Sequence, residues 1–337
     1  VSCPYVQTIP YVSNAAIDGI RRITPIIDFR RGIKYLRDEL SKAFKEYEIS
    51  PQEIEKSITI AQGAQKDFKN TLQAKGLEIL NAINGKDASP VIVIVGRSYN
   101  SFDNGVNLEI PKKLSNIKTL SMPMDFLPLE SERIMNVWPN MYWRSGQRML
   151  KAARIIKRNP NLFAILIGSF SCGPDSFIIN YFKKEMKGKP FLHIEIDEHS
   201  ADAGAVTRCE AFLDSIEQQT KKSAKPYSSS LTATPSMSRY ETTALNKKRI
   251  IYIPRMVDHA FALAAAFKRC GVQAEVLPET DNEVVDLGRR HLSGKECYPC
   301  TITTGHFLKK ASEPDFIPER SAFFMPTANG PCRFGQY

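Results

Sequence analysis

The sequence contains no apolar run near the roughly 20 residues a membrane-spanning helix needs. Its longest, around Val91 to Val95, has the length of a strand. No charged-then-apolar leader opens the chain and no Met precedes Val1, so the amino end reads as a cut or processed end or the interior of a longer polypeptide, and the chain as a fragment. Gly-x-Gly-x-x-Gly and Walker loops are absent, which argues against nucleotide binding or hydrolysis by this chain. Blocks of basic residues interleaved with aromatics are missing too. The net charge is +10, but the 46 Lys and Arg are scattered through helical patterns, so nucleic acid is not the expected partner. A basic surface of this kind suits an acidic protein or an anionic substrate such as a coenzyme A thioester. Seven cysteines, an odd number, argue against a disulfide framework and for reduced thiols in a cytoplasmic protein.

What is present is an α/β pattern. The 337 residues, 42% hydrophobic, can bury cores in two domains. Residues 1–85 read as a mostly helical segment. Within it Ser50, Pro51 and Glu53 form a capping box, and Ile54, Ile58, Ala61, Gln65, Phe68 and Leu72 follow at helical spacing, predicting an amphipathic, packed helix. Residues 86–217 alternate strand-like runs (91–95, 119–122, 162–168 and 191–196) with helical stretches such as 145–157, predicting a largely parallel sheet. Residues 218–248 are rich in Ser, Thr, Lys and Pro and read as a linker or surface excursion. Residues 249–337 repeat the plan, with strands at 250–253, 274–277 and 322–325, as a second lobe that looks incomplete at Tyr337. The expected fold class is therefore α/β: two Rossmann-like or flavodoxin-like lobes with mostly parallel sheets, preceded by a helical segment.

Five cysteines stand in turn-like places. Cys172 lies in Gly168-Ser-Phe-Ser-Cys-Gly-Pro-Asp-Ser-Phe177, between a strand and a helix, where open α/β sheets bind ligands. The amides of a helix start there can stabilise a thiolate or an anionic cluster. Cys297 and Cys300 form a C-x-x-C pair, whose spacing presents two sulfurs to one metal. Thioredoxin-like redox pairs share that spacing but open a helix in a thioredoxin fold, which is not expected here. Cys332 follows a strand and a Gly and Pro loop, and Cys3 precedes Pro4. Cys209 and Cys270 sit inside helical patterns and read as packing residues. Thiolate-rich sites select zinc or iron-sulfur clusters, and spacing does not choose between them. A cluster gathered from separate parts of the chain is the better physical fit, because structural zinc sites usually bring two knuckles close in sequence.

Two further strand ends carry polar residues. Asp197, Glu198 and His199 are candidates for acid-base or metal chemistry, with capping and turn bonding as the competing role. Gly96, Arg97 and Asn100 are candidates for cofactor binding through an amide turn. His193, His259, His291 and His306 have no metal spacing and read as surface or core residues.

Taken together, Cys3-Pro-Tyr5, Gly96-Arg-Ser-Tyr-Asn100, Phe170-Ser-Cys-Gly-Pro-Asp-Ser-Phe177, Asp197-Glu-His-Ser-Ala-Asp-Ala-Gly204, Glu296-Cys-Tyr-Pro-Cys300 and Gly330-Pro-Cys-Arg-Phe-Gly-Gln-Tyr337 span nearly the whole chain. In this order they resemble the 2-hydroxyacyl-CoA dehydratase and benzoyl-CoA reductase superfamily, in the lineage associated with activase ATPases of the BadF/BcrA type. The resemblance implies an oxygen-sensitive [4Fe-4S] cubane or double cubane held by Cys3, Cys172, Cys297, Cys300 and Cys332. It implies an electron-accepting reductase or dehydratase-like component, supplied with low-potential electrons by an ATP-hydrolysing activase in an anaerobic cytoplasm. An acyl-CoA or other small molecule would be the substrate, and a dimer the assembly. The rival readings are a non-catalytic electron-transfer or cluster-carrying module and a zinc-stabilised binding protein.

Overall fold

The β-branched run at 91–96 cannot face water on either side, and in the computed structural model it is a strand buried along its whole length. The structure describes residues 3–19, 21–83, 89–200, 202–222, 249–328, 330 and 332–336. The chain divides into two compact units. One is residues 1–88 with 125–128, and the other is residues 89–124 with 129–337. Residues 223–248, most of the expected excursion, lie outside the described residues.

The first unit is helical: α1 (Pro4–Ala16), α2 (Gly32–Ala43) and α3 (Pro51–Ala82). The capping box is present at the start of α3, with Ser50 Oγ accepting from the Glu53 amide and Glu53 Oε2 accepting from the Ser50 amide at 3.0 Å. The expected packing stripe is only partly used. Ile54 is buried, whereas residues 61–70 are all exposed, Phe68 at 55%. Length explains this: at 32 residues α3 is about 48 Å long, against about 18 Å for α2.

The second unit holds two parallel sheets. Along the first run β1 (Val91–Gly96), α4 (Ser98–Phe102), α5 (Ile110–Asn116), β2 (Ser121–Pro123), α6 (Arg144–Arg158), β3 (Leu162–Ser169), α7 (Gly173–Glu185), β4 (Phe191–Ile196) and α8 (Asp202–Lys222). The strand order is β2-β1-β3-β4, and every pairing is parallel. Ile92, Ile94, Ile165, Ile167 and Ile194 pack on Ile110 and Leu114 of α5 and on Cys209, Phe212 and Ile216 of α8. Helices α6 and α7 pack together, α6 lying against β1 and β3. The chain therefore leaves β1 toward β2 and later returns past it to β3. This makes the gap between the carboxyl ends of β1 and β3 a topological switch point, the usual ligand crevice of such sheets.

The second sheet comprises β5 (Ile250–Ile253), α9 (His259–Arg269), β6 (Ala274–Val276), α10 (Asn282–His291), α11 (Tyr298–Ala311) and β7 (Ser321–Phe323), in the order β6-β5-β7, also all parallel. Ile251 and Ile253 pack on Ala260 and Ala264 of α9. Phe307, Phe316, Phe323 and Tyr252 form an aromatic cluster. Helices α10 and α11 are in backbone contact: a Cβ at Gly288 would lie 2.0 Å from the Thr301 carbonyl oxygen, and one at Gly305 1.9 Å from that of Val284. The parallel sheets and flanking helices are those of Rossmann-like or flavodoxin-like lobes. Among the described residues no helix is long and apolar enough to cross a membrane.

Candidate thiol site at the switch point

Cys172 is the N-cap of α7, with Pro174 in the first turn. The turn delivering it is tight, because Ser171 takes φ +58°, a left-handed conformation uncommon for a residue with a side chain. The Cys172 sulfur makes no capping bond and lies 3.6 Å from Nη2 of Arg97, which follows β1 across the switch point. Arg97 also donates to Asp175 Oδ1 from Nε and Nη2, at 3.1 and 3.0 Å. Burial pushes the Cys172 thiol up, with the Asp175 carboxylate adding to the effect and Arg97 opposing it. Burial would lower the Arg97 pKa, but Asp175 and Cys172 outweigh it and the guanidinium is held above its usual value.

Asp175 Oδ2 is buried without a hydrogen-bond partner. It faces the same small space as His193 of β4: a Cβ on Gly168 would be 3.6 Å from His193 Nε2 and 3.8 Å from Asp175 Oδ2. Burial lowers the His193 pKa, with Glu195 acting against the shift. Neither Asp175 nor His193 stood out as a site residue in the sequence. The only signal was an acidic residue three positions after Cys172, and His193 enters through the register of β3 on β4.

Three further cysteines of this unit, Cys297, Cys300 and Cys332, lie on segments that are hydrogen-bonded to or packed on the same helix. Cys297 is the N-cap of α11 and Cys300 lies one turn on, its amide donating to the Cys297 carbonyl at 2.9 Å. The C-x-x-C pair thus does open a helix, a feature the sequence reading tied to thioredoxin-like folds. Cys297 is half-buried and Cys300 is 4% exposed. Burial pushes the Cys300 thiol up to about 11, its neighbour Cys297 adds to this, and Arg333 pulls it down. Glu296 next to the pair accepts from Asn180 Nδ2 of α7 at 3.1 Å.

Gly330 and residues 332–336, which carry Cys332, are held by side chains from the start of α6 and from α7. Tyr142 Oη donates to the Cys332 carbonyl at 3.3 Å, Trp143 Nε1 to that of Gly330 at 3.0 Å and Tyr181 Oη of α7 to that of Gln336 at 3.3 Å. The Arg333 side chain covers Gly173 so closely that a Cβ there would stand 3.0 Å from its Nε. Arg333 therefore touches the Cys172 turn while remaining within electrostatic reach of Cys300.

The remaining sequence candidates fall as follows. Cys3 is the exposed N-cap of α1, in the other compact unit. Asn100 is buried and donates to the Ile167 carbonyl at 3.1 Å. Gly96 lets β1 approach that same carbonyl, which a Cβ would meet at 2.7 Å. Asp197 closes a turn by accepting from Ser200 Oγ at 2.8 Å and from the His199 amide at 3.0 Å, while the Glu198 and His199 side chains are more than 80% exposed. Cys209 packs in the first core as expected. Cys270 does not: it is exposed at the end of α9, where Gly271 at φ +77° turns the chain away. Among the described residues no group of three or more His, Cys, Asp and Glu is arranged to hold a metal ion.

Residues 1–127 match the family model described as the CoA enzyme activase uncharacterised domain, DUF2229. No curated protein matches the chain. No solved structure matches it either. The matched stretch includes Cys3 and Arg97, while the other four turn cysteines lie beyond it.

Proposed function

We propose that this chain is the electron-accepting, iron-sulfur-carrying component of a CoA-enzyme activase system. The observation that carries the reading is that Cys172 caps α7 while neighbours of the other cysteines meet that helix: Glu296 accepts from Asn180, the Gln336 carbonyl accepts from Tyr181, and Arg333 lies against Gly173. The family match to a CoA enzyme activase domain supports the activase side.

The donor chemistry suits a cluster, and since no three of these groups are arranged around one metal position among the described residues, uptake would draw the turns together. Cys172, Cys297, Cys300 and Cys332 would hold it, and thiolates are the ligands that iron-sulfur clusters use. Such a cluster supplies storage for a low-potential electron. The protein's own part is electrostatic: a thiolate-ligated cluster is anionic, and Arg97, Arg333 and the amino ends of α7 and α11 offer positive charge to it. The raised thiol pKa values mean that ligation releases protons, so uptake should favour higher pH. The donor of electrons would be an ATP-hydrolysing activase, the acceptor an acyl-CoA or other small molecule, and the setting an anaerobic cytoplasm.

The test is iron and acid-labile sulfide per chain, with a visible spectrum, on protein reconstituted without oxygen. Stoichiometric iron and sulfide whose absorbance bleaches on reduction support the reading. Zinc alone, or no metal after reconstitution, sinks it.

A further inference from the structure

We infer that, in the metal-free chain, Cys297 and Cys300 are a dithiol-disulfide couple that reacts with small disulfides of the glutathione class. This goes beyond the cluster reading and does not depend on it.

The two residues occupy the N-cap and the first turn of one helix, and the 2.9 Å bond from the Cys300 amide to the Cys297 carbonyl fixes that turn. Closing a ring across four residues already in place orders no new chain, so little conformational entropy opposes the bond. The turn is also anchored. Helix α11 is seated on α10 through Gly288 and Gly305, and Thr301, Thr303 and His306 are buried along it. A rigid base holds the second sulfur at high effective concentration toward the first.

Access to the two sulfurs is unequal. Cys297 is half-buried and reachable by a small molecule, whereas Cys300 is 4% exposed and closed to one. Cys297 is accordingly the attacking thiol and Cys300 the resolving one. In the first exchange the Cys297 thiolate attacks oxidised glutathione, forming a mixed disulfide and expelling one glutathione thiolate. In the second, the Cys300 thiolate attacks the Cys297 sulfur, closing the protein disulfide and expelling the other. Two electrons pass to glutathione, and the two protons from the protein thiols finish on the two glutathione thiols. Cys172 and Cys332 lie on other elements, one beside Arg97 and one exposed, and share no such turn with a second cysteine.

The experiment uses the full chain, stripped of metal with a chelator under nitrogen and equilibrated with mixtures of reduced and oxidised glutathione. After acid quenching and alkylation, peptides are mapped by mass. The expected product is a Cys297–Cys300 disulfide with Cys172 and Cys332 alkylated or singly glutathionylated. In Cys300→Ser, checked for folding by circular dichroism, the mixed disulfide on Cys297 should persist at least tenfold above the wild-type level. Free thiols at both positions across the whole series, bridging of either to Cys172 or Cys332, or no added adduct in Cys300→Ser would overturn the inference. Iron uptake is measured separately: a chain that closes this disulfide but takes up no iron keeps the couple and loses the cluster, and the converse result does the reverse.

Discussion

The Arg97 guanidinium and the Cys172 sulfur lie 3.6 Å apart although 75 residues separate them. Strand order brings them together: Arg97 leaves β1 and Cys172 follows β3, and the two strands are neighbours that the chain reaches from opposite directions. Asp175 then fixes the arginine, at 3.0 Å, with the two side chains 20% and 13% exposed.

Arg97→Met should cost about 3 kcal/mol, because it leaves the Asp175 carboxylate buried without its counter-charge. Adding Asp175→Asn should recover more than half of that loss. Urea denaturation of both variants checks it, and equal losses in the single and double variants would show that the ion pair is not what holds this turn.

Gly288→Ala and Gly305→Ala should each destabilise the second sheet's unit by more than about 3 kcal/mol, since the added methyl meets backbone that has no room to yield. Gly63→Ala is the contrast. It lies in an exposed part of α3 with nothing within 4 Å of the new carbon, and should stabilise by up to about 1 kcal/mol. Thermal melts of the three variants suffice.

Lys189 gives stability a pH dependence of defined sign. It is 4% exposed, donates to the Ile156 carbonyl at 2.8 Å and lies 4.8 Å from the Phe163 ring centre, and burial lowers its pKa to about 7. The unfolded value is about 10.4, so between these two pH values the unfolded chain binds more protons and stability rises with pH. Below the folded value both states are charged and the penalty is constant. Cys209 and Cys300, held at about 11, act in the opposite direction once unfolded thiols ionise. From about pH 7 to 8.5 the lysine should therefore add roughly 1 to 2 kcal/mol, a rise that Lys189→Met abolishes in urea titrations.

Cys172→Ala and Cys300→Ala should each lower iron content after anaerobic reconstitution, whereas Cys270→Ala should leave it unchanged. Cys270 stands exposed on α9, away from the turns that border α7. Equal iron in all three proteins would remove the ligand assignment.

The strands were legible because buried parallel strands have no polar face to interrupt them. The run from Val91 and the one from Leu162 were each recovered to within a residue or so. Shorter strands slipped: the run expected at 119–122 is Ser121–Pro123, with Leu120 exposed and joined to β1 only through its carbonyl, which accepts from the Ile92 amide at 2.9 Å. Cys172 could be read from its motif, since a strand followed by Gly and Pro fixes a turn locally. Its surroundings could not. Asp175 and His193 meet through strand register, and Arg333 reaches Gly173 from the far end of the chain, so no local pattern announces either. Cys270 was misread because a helical period does not say where a helix stops, and Gly271 stops this one.

Among the described residues, Gly330 and residues 332–336 are joined to the rest of the protein by side-chain bonds to main-chain carbonyls and by no strand ladder; Gln336 Nε2, for instance, donates to the Asn140 carbonyl at 2.7 Å. Undocking them breaks these bonds and exposes the buried Gly335 and Gln336, and it breaks no strand pairing. Their amides should therefore exchange with deuterium through a local opening much cheaper than global unfolding. Cys332 and Arg333 ride on that segment, so their presence beside α7 is an equilibrium in its own right, one that the Tyr142 hydroxyl biases through its bond to the Cys332 carbonyl.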